Sequence, residues 1–188
     1  MSRGAKIAIG IGLVALIVYF MLASPYNTLV SLDESVVRAQ ADVEVNLQRR
    51  LDLIPNLVET VKGYAAHERE TLEAVIKARQ QVAQAGSLDQ KLDASQGLTS
   101  ALGRLMVVVE RYPDLKANQN FRQLQDQLEG TENRIAVSRT RYNSAVQEYN
   151  RTIRSFPTLI LARLIGYQPR KAYTAAPQAQ EAPQVRFK

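Results

Sequence analysis

Apolar positions recur at helical spacing along most of the chain, from Leu29 to Phe156. They form four amphipathic stripes, each stepping by three and four residues as one face of an α-helix does. A run of apolar residues without a charge, Ile7–Ala23, precedes the first stripe. We therefore expect an all-α protein, in which an N-terminal transmembrane helix is followed by an elongated antiparallel four-helix bundle with short loops.

Prolines and a glycine mark the predicted ends of these helices. Pro55 suits the first turn of a helix and disrupts its interior, so we place a helix end and a new start here; one continuous kinked helix is the alternative. The second helix is expected to end near Gly86, and the third before Pro113. Asn118 is expected to cap the fourth helix and Pro157 to end it.

The fourth stripe carries the clearest repeat. Large residues recur on it every seven positions, six times in succession, and most of their neighbours on the same face are small. The large residues are Phe121, Leu128, Ile135, Tyr142, Tyr149 and Phe156. A large ridge beside a small one lets a neighbouring helix approach closely and interdigitate.

Polar side chains on the same helix form a second series with two open interpretations. The series consists of Asn133, Arg139, Tyr142, Asn143, Tyr149 and Asn150. In the first interpretation, these groups form hydrogen bonds with one another between helices of the same chain. In the second, they form a surface through which copies of the chain associate. The sequence does not separate the two interpretations.

The apolar run Ile7–Ala23 predicts attachment to a membrane. Its 17 uncharged residues would span roughly 25 Å as a helix, slightly less than a ~30 Å hydrocarbon core. A cleaved signal peptide is the alternative, although the residues after the run form a poor cleavage site. Arg3 and Lys6 favour a cytoplasmic N-terminus with the bundle outside, in the periplasm of a two-membrane cell. Tyr19 and Tyr26 are expected at the membrane interface.

A second membrane contact is predicted after the bundle. With an even number of antiparallel helices, the fourth helix ends where the first one begins. An aliphatic segment with basic borders follows at that end, as in helices that lie in a bilayer interface. The residues expected at the membrane are Leu159, Ile160, Leu161, Arg163, Leu164 and Ile165. Capping of the open bundle end by these residues is the alternative.

The predicted organisation has five consecutive parts. They are a basic flank (1–6), the transmembrane helix (7–23), the four-helix bundle (26–157), an amphipathic juxtamembrane segment (158–167) and a disordered tail (168–188). The tail prediction rests on its prolines, alanines and glutamines, which bury too little apolar surface to fold.

Charge and composition exclude several classes of function. The net charge is +6, but residues 7–153 carry 16 basic and 17 acidic side chains, so the excess lies at the chain ends. A nucleic-acid-binding domain more often concentrates its charge on one folded face. The absence of cysteine excludes disulfides, iron–sulfur clusters and thiol catalysis.

The sequence contains no residue pattern typical of an enzyme. Its single histidine, His67, begins His-Glu-Arg-Glu-Thr, and Thr71 stands where a zinc hydrolase has its second histidine. No Gly-x-Ser-x-Gly surrounds a serine, and no Glu-x-x-His pair is available for a di-iron site. We therefore expect a protein that is not an enzyme, with no cofactor, no metal, no small-molecule substrate and no nucleic-acid partner.

Several segments resemble the LemA family of bacterial membrane proteins. The matching residues are Tyr26–Val30, Gln48–Ala65, His67-Glu68, Tyr112–Asn118, Phe121, Leu124-Gln125, Gln127-Leu128, Thr131–Asn133, Ile135-Ala136, Arg139, Tyr142-Asn143, Tyr149-Asn150 and Phe156-Pro157. The resemblance implies a single-span membrane protein with a four-helix bundle and a part in membrane organisation. It implies no catalytic residues.

The leading functional hypothesis is a non-enzymatic scaffold that self-associates at the bacterial inner membrane through lateral contacts between bundles. The alternative is a regulatory adaptor that presents the bundle to a membrane protease or a signalling partner. The expected partners are therefore the lipid bilayer and further copies of the chain, and any membrane-protein partner stays unidentified.

Overall fold

Six helices make up the regular structure of residues 3–174, the part of the chain that the computed structural model describes. They are α1 (Arg3–Lys62), α2 (Arg69–Gln84), α3 (Leu88–Val109), α4 (Pro113–Ala117), α5 (Gln119–Thr152) and α6 (Thr158–Ile165). No strand occurs among these residues. The prediction of an all-α protein is confirmed for this part of the chain.

The chain divides into two compact units, and α1 and α5 each contribute residues to both. Unit 1 comprises residues 1–39 and 141–172, and unit 2 comprises residues 40–140 and 173–188. The buried apolar residues of unit 1 are Leu29, Val36, Tyr142, Val146, Tyr149, Ile153 and Ala162. In unit 2 one continuous apolar cluster joins α1, α2, α3 and α5, as the predicted stripes require.

Helix α1 continues without a break through Pro55, so the predicted helix boundary at this residue is wrong. Proline has no N–H, and the carbonyl of Leu51, four residues earlier, therefore lacks its helical donor. Arg79 of α2 supplies the missing donor, because its Nε lies 2.9 Å from the Leu51 oxygen. The break comes instead after Lys62, in a turn that leads into α2.

Four polar contacts of α1 give the directions of the helices in unit 2. The contacts are Glu44–Lys91, Arg50–Ser95, Asn46–Ser138 and Arg50–Glu132. Residue numbers rise together along α1 and α3, so these two helices run parallel. They fall along α5 as they rise along α1, so α5 runs antiparallel. Since α2 packs against α3 and short turns join it to α1 and α3, the long helices of unit 2 alternate in direction along the chain, as in an antiparallel four-helix bundle.

The turn between α2 and α3 lies where the sequence predicts it, but its geometry differs. A glycine that follows a helix end is often left-handed, but the φ of Gly86 is not positive. Its N–H instead donates to the side-chain oxygen of Gln90 at 3.0 Å. The Oγ of Ser87 accepts the N–H of Gln90 at 3.3 Å, so a capped start of α3 stabilises this turn.

Helix α5 begins as predicted and ends earlier than predicted. The Oδ1 of Asn118 accepts the N–H of Phe121 at 3.0 Å and caps the helix. The helix ends at Thr152, before Pro157 is reached. Phe156 therefore leaves the seven-residue register and is 74% exposed, whereas the other five large residues of the repeat are buried.

Two further expectations concern the chain ends. Among the helices of residues 3–174, none combines the length and the apolar character that a membrane crossing needs. The transmembrane helix predicted over Ile7–Ala23 is therefore not confirmed. The disordered tail was predicted to begin at residue 168, and within its described part Gln168, Arg170 and Tyr173 make hydrogen bonds to the helices. Residues 175–188 lie outside the described part.

The hydrogen bond between Arg79 and the Leu51 carbonyl should stabilise the fold, because Pro55 has no N–H to donate to this carbonyl. Arg79→Leu should lower the free energy of unfolding by about 1–3 kcal/mol, the cost of leaving a buried carbonyl unsatisfied. In a Pro55→Ala background, residue 55 regains its N–H, and the same change should cost less. Chemical unfolding of the full-length variants in a double-mutant cycle measures this coupling.

The control for this cycle is Lys77→Leu, a change at an exposed position of the same helix. It should have little effect in either background. Equal costs of Arg79→Leu with and without Pro55 would show that the bond does not compensate for the proline.

Candidate functional site

Helix α6 of unit 1 has one buried and one exposed face. Thr158 and Ala162, one turn apart, are buried. Ile160 and Leu164, also one turn apart, are 62% and 81% exposed. The helix therefore packs on the protein with one face and presents aliphatic side chains to the surroundings with the other.

The remaining residues of the predicted membrane contact divide between these two faces. Leu159 and Leu161 are half-buried, as the alternative capping role requires. Arg163 and Ile165 are exposed. The segment thus has the exposed aliphatic and basic groups of an interfacial helix together with a packing face of its own.

The first part of α1 also exposes apolar side chains. Tyr19 and Tyr26, the predicted interface aromatics, are both exposed. The ring of Tyr19 meets that of Phe20 edge to face, with 5.6 Å between the ring centroids. Exposed aliphatic residues precede them, among them Ile9 and Leu16.

Gly166 ends α6 and redirects the chain. Its φ is +81°, a left-handed conformation that favours glycine over residues with a Cβ. The N–H of Tyr167 donates to the carbonyl of Ala162 at 2.9 Å and closes the helix end. The residues that follow, Gln168–Ala172, lie along α5, and we call them the C-terminal strap.

Tyrosine hydroxyls of α5 bind the main chain of the C-terminal strap. The hydroxyl of Tyr149 donates to the carbonyl of Gln168 at 3.0 Å. The hydroxyl of Tyr142, two helical turns earlier, donates to the carbonyl of Lys171 at 3.1 Å. Burial, and next the charge of Asp33, raise the pKa of Tyr149, so its hydroxyl stays protonated and remains a donor.

Arg170 of the strap is bound through both its main chain and its side chain. Asn150 accepts the N–H of Arg170 at 2.8 Å and donates to its carbonyl at 2.7 Å. The guanidinium pairs with Asp33 of α1 at 2.7 Å and lies over the ring of Tyr149, 5.7 Å from the centroid. The strap is therefore fixed at one residue to both long helices of unit 1.

Members of the predicted polar series thus make contacts within the chain. Tyr142, Tyr149 and Asn150 hold the C-terminal strap, an arrangement that neither interpretation of the series anticipates. Asn143 is half-buried, and Asn133 is exposed. Of the series, Asn133 is the member whose exposure best suits a contact with another molecule.

The fourth engaged member, Arg139, lies in unit 2. Its guanidinium stands over the ring of Tyr173, 5.4 Å from the centroid. The hydroxyl of Tyr173 also donates to Asp93 at 3.2 Å and accepts from Gln96 at 3.0 Å. Burial, and next the charge of Asp93, raise the pKa of Tyr173 and keep it a donor.

A buried guanidinium joins three helices of unit 2. Arg50 of α1 is 3% exposed. It donates to Ser95 at 3.2 Å and Thr99 at 3.0 Å on α3, and it pairs with Glu132 of α5. Burial lowers the pKa of Arg50, and the charge of Glu132 opposes this shift. Since an unpaired buried charge is very costly, these partners are required for the helices to close around it.

The predicted set of site residues omits Arg50, Asp33 and Arg170. A single charged residue in a helix is typical of a solvated face, so neither Arg50 nor Asp33 stands out. For Arg50 a signal was present: it follows Val43 and Leu47 at steps of four and three, which places it on the buried stripe of α1. Asp33 and Arg170 are far apart in sequence, and no local pattern joins them.

The described residues define an all-helical class of protein, and they include no group of three or more His, Cys, Asp or Glu side chains able to hold a metal ion. The model of the LemA family matches residues 39–187. The chain belongs to the LemA family, and the resemblance found in the sequence is confirmed.

Individual relatives extend the match over most of the chain. Magnetosome protein MamQ 2 of Paramagnetospirillum magneticum is 29% identical over an alignment of 205 positions, and the match covers 94% of this chain and 75% of the relative. Magnetosome protein MamQ of Magnetospirillum gryphiswaldense is 28% identical over an alignment of 196 positions, and the match covers 89% of this chain and 72% of the relative. Protein LemA of Metamycoplasma hominis is 24% identical over 148 residues, or 78% and 68%.

The stabilisation of the strap by Asn150 can be measured as the hydrogen-exchange rate of the Arg170 amide. Asn150→Ala removes both hydrogen bonds to the main chain of Arg170, so the Arg170 amide should exchange with solvent about tenfold to a hundredfold faster. Amide hydrogen exchange of the full-length protein measures this rate. Asn133→Ala, at an exposed position of the same helix, is the control and should leave the rate unchanged. An unchanged rate in Asn150→Ala would show that other contacts suffice to hold the strap.

Proposed function

We propose that this protein is a non-enzymatic helical scaffold attached to a bacterial membrane through unit 1. The observation that carries the proposal is the exposed aliphatic face of α6, formed by Ile160 and Leu164. Phe156, just before the helix, is also exposed. The exposed Arg154 precedes this group in the sequence, and the exposed Arg163 lies within it, next to Leu164. Aliphatic groups with basic neighbours suit the interface of a membrane that contains anionic lipids.

The apolar run Ile7–Ala23 is the proposed primary anchor. It carries no charge over 17 residues, and its described aliphatic side chains, such as Ile11 and Leu13, are exposed. Arg3 and Lys6 favour a cytoplasmic position for the N-terminus and hence an outside position for the helical domain. The relatives that are named magnetosome proteins support a part in membrane organisation.

We further propose that copies of the chain associate laterally at the membrane through the outer face of α5. Asn133 and Val137 lie one turn apart on this face, and both are exposed. The residues of α5 that hold the strap are occupied within the chain, which leaves this face for another molecule. Under the adaptor alternative, the same face binds a protein of different sequence.

The membrane contact of α6 can be tested because the chain has no cysteine. In full-length protein reconstituted into vesicles with anionic lipid, a fluorophore on Leu164→Cys should be quenched by nitroxide-labelled lipids. The matched control is Val107→Cys on α3, an aliphatic position that is 73% exposed, and its fluorophore should not be quenched. Adding Ile160→Asp should weaken the quenching at position 164, since a carboxylate disfavours apolar surroundings. Equal quenching at positions 164 and 107 would contradict the proposed contact.

Lateral association can be tested with another single-cysteine variant. Val137→Cys should form a disulfide-linked homodimer under mild oxidation in the membrane, because two copies would bring this position together. Val107→Cys is again the control and should cross-link only at background level. A strictly monomeric particle in detergent, without cross-linking of Val137→Cys in the membrane, would rule out self-association. A cross-link to one other polypeptide would favour the adaptor.

A further inference from the structure

A crevice of about 300 Å³ lies between α3 and α5 in unit 2. Its apolar walls include Leu102 and Met106 on α3 and Leu128 on α5. Glu129 and Glu132 of α5 also line it, and both are exposed, so they stand where the crevice opens to solvent. The volume is at the lower end of the range for small-molecule sites, and the combination of apolar walls with a few polar groups is typical of them.

Gly103 keeps this crevice open. A Cβ at this position would meet no heavy atom within 4 Å, so the space beside α3 is unfilled. Glycine inside a helix destabilises it relative to alanine. Gly103 is exposed, so the crevice opens to solvent beside it. Helix stability would favour alanine at this position and does not account for the glycine.

The charges around the crevice select the kind of ligand. Arg50 is the only basic residue among those that line it, and the carboxylates are Glu129 and Glu132. The two terminal nitrogens of the Arg50 guanidinium are held by Ser95, Thr99 and Glu132, and its buried Nε has no hydrogen-bond partner among the described residues. Because two carboxylates face one engaged guanidinium, the opening has a net negative charge. An ammonium group is attracted there, whereas a carboxylate or phosphate is repelled.

We propose that the crevice binds a small aliphatic amine. Its hydrocarbon chain lies between Leu102, Met106 and Leu128, and its ammonium group lies at Glu129 and Glu132. Such a compound is bound rather than converted, which is compatible with the absence of a catalytic pattern in the sequence. This proposal is independent of the membrane contact of unit 1, because all residues that carry it belong to unit 2.

Methionine methyl groups provide the readout. The chain has three methionines, Met1, Met21 and Met106, and Met106 lines the crevice. In full-length protein with 13C-labelled methionine methyls, titration with n-octylammonium should shift the Met106 signal in a saturable way. A shift of the Met21 signal, in the apolar run, would report partition of the probe into lipid. Octanoate, with a similar chain and the opposite charge, should bind at least about tenfold more weakly.

Two substitutions at one position separate binding from folding. Gly103→Leu fills the crevice and should abolish the saturable Met106 shift. Gly103→Ala adds a single methyl group and should retain it, which makes this variant the matched control. Circular dichroism checks that both variants keep their helical content.

A charge reversal at the opening tests the head-group assignment. Glu129 is exposed, so Glu129→Lys should fold normally and should reverse the preference from n-octylammonium to octanoate. No saturable Met106 shift with n-octylammonium in the unaltered protein, or a shift that persists in Gly103→Leu, would overturn the proposed site. An unchanged preference in Glu129→Lys would overturn the assignment of the ammonium group to this carboxylate.

Discussion

One turn of α1 is tied by polar bonds to the three other long helices of unit 2. The side chain of Arg50 reaches α3 and α5, and the carbonyl of the next residue, Leu51, accepts from Arg79 of α2. These bonds offset the cost of burying the terminal nitrogens of a guanidinium and of leaving a carbonyl without its helical donor. Apolar packing alone leaves the register of helices loosely defined, whereas these bonds form at one register only. The register of the helices in unit 2 therefore depends on this turn.

The same turn explains which features of the fold the sequence predicts and which it does not. The seven-residue repeat of α5 predicts its buried face well, because that pattern is local to one helix. Pro55 leads to a wrong helix boundary because the group that compensates for it, Arg79, lies on another helix. A local rule about proline assumes that nothing replaces the lost hydrogen bond. The positions of helix ends therefore depend here on tertiary contacts that no single segment encodes.

The contacts of the candidate site are even harder to predict from the sequence than the helix ends are. Tyr142, Tyr149 and Asn150 are prominent in the sequence, but their partners are main-chain groups of the C-terminal strap. Main-chain groups leave no trace in a residue pattern, and the composition of the strap favours disorder. Arg170 contributes a side-chain partner through Asp33, and those two residues are far apart in sequence. The residue types of the site were therefore predictable, whereas the segment that they bind was not.

The two units differ in how their exposed apolar side chains are distributed, and this difference bears on function. In unit 1 the exposed aliphatic and aromatic side chains are concentrated in two stretches of sequence, at the start of α1 and around α6. In unit 2 they are scattered singly, for example Val45, Val107 and Val137, as is normal for a protein surface in water. Unit 2 instead carries a buried charge and a crevice that is open to solvent. Because apolar exposure is costly only in water, the surface of unit 1 is where the proposed contact with lipid removes the most apolar area from water, and the proposed ligand site belongs to unit 2.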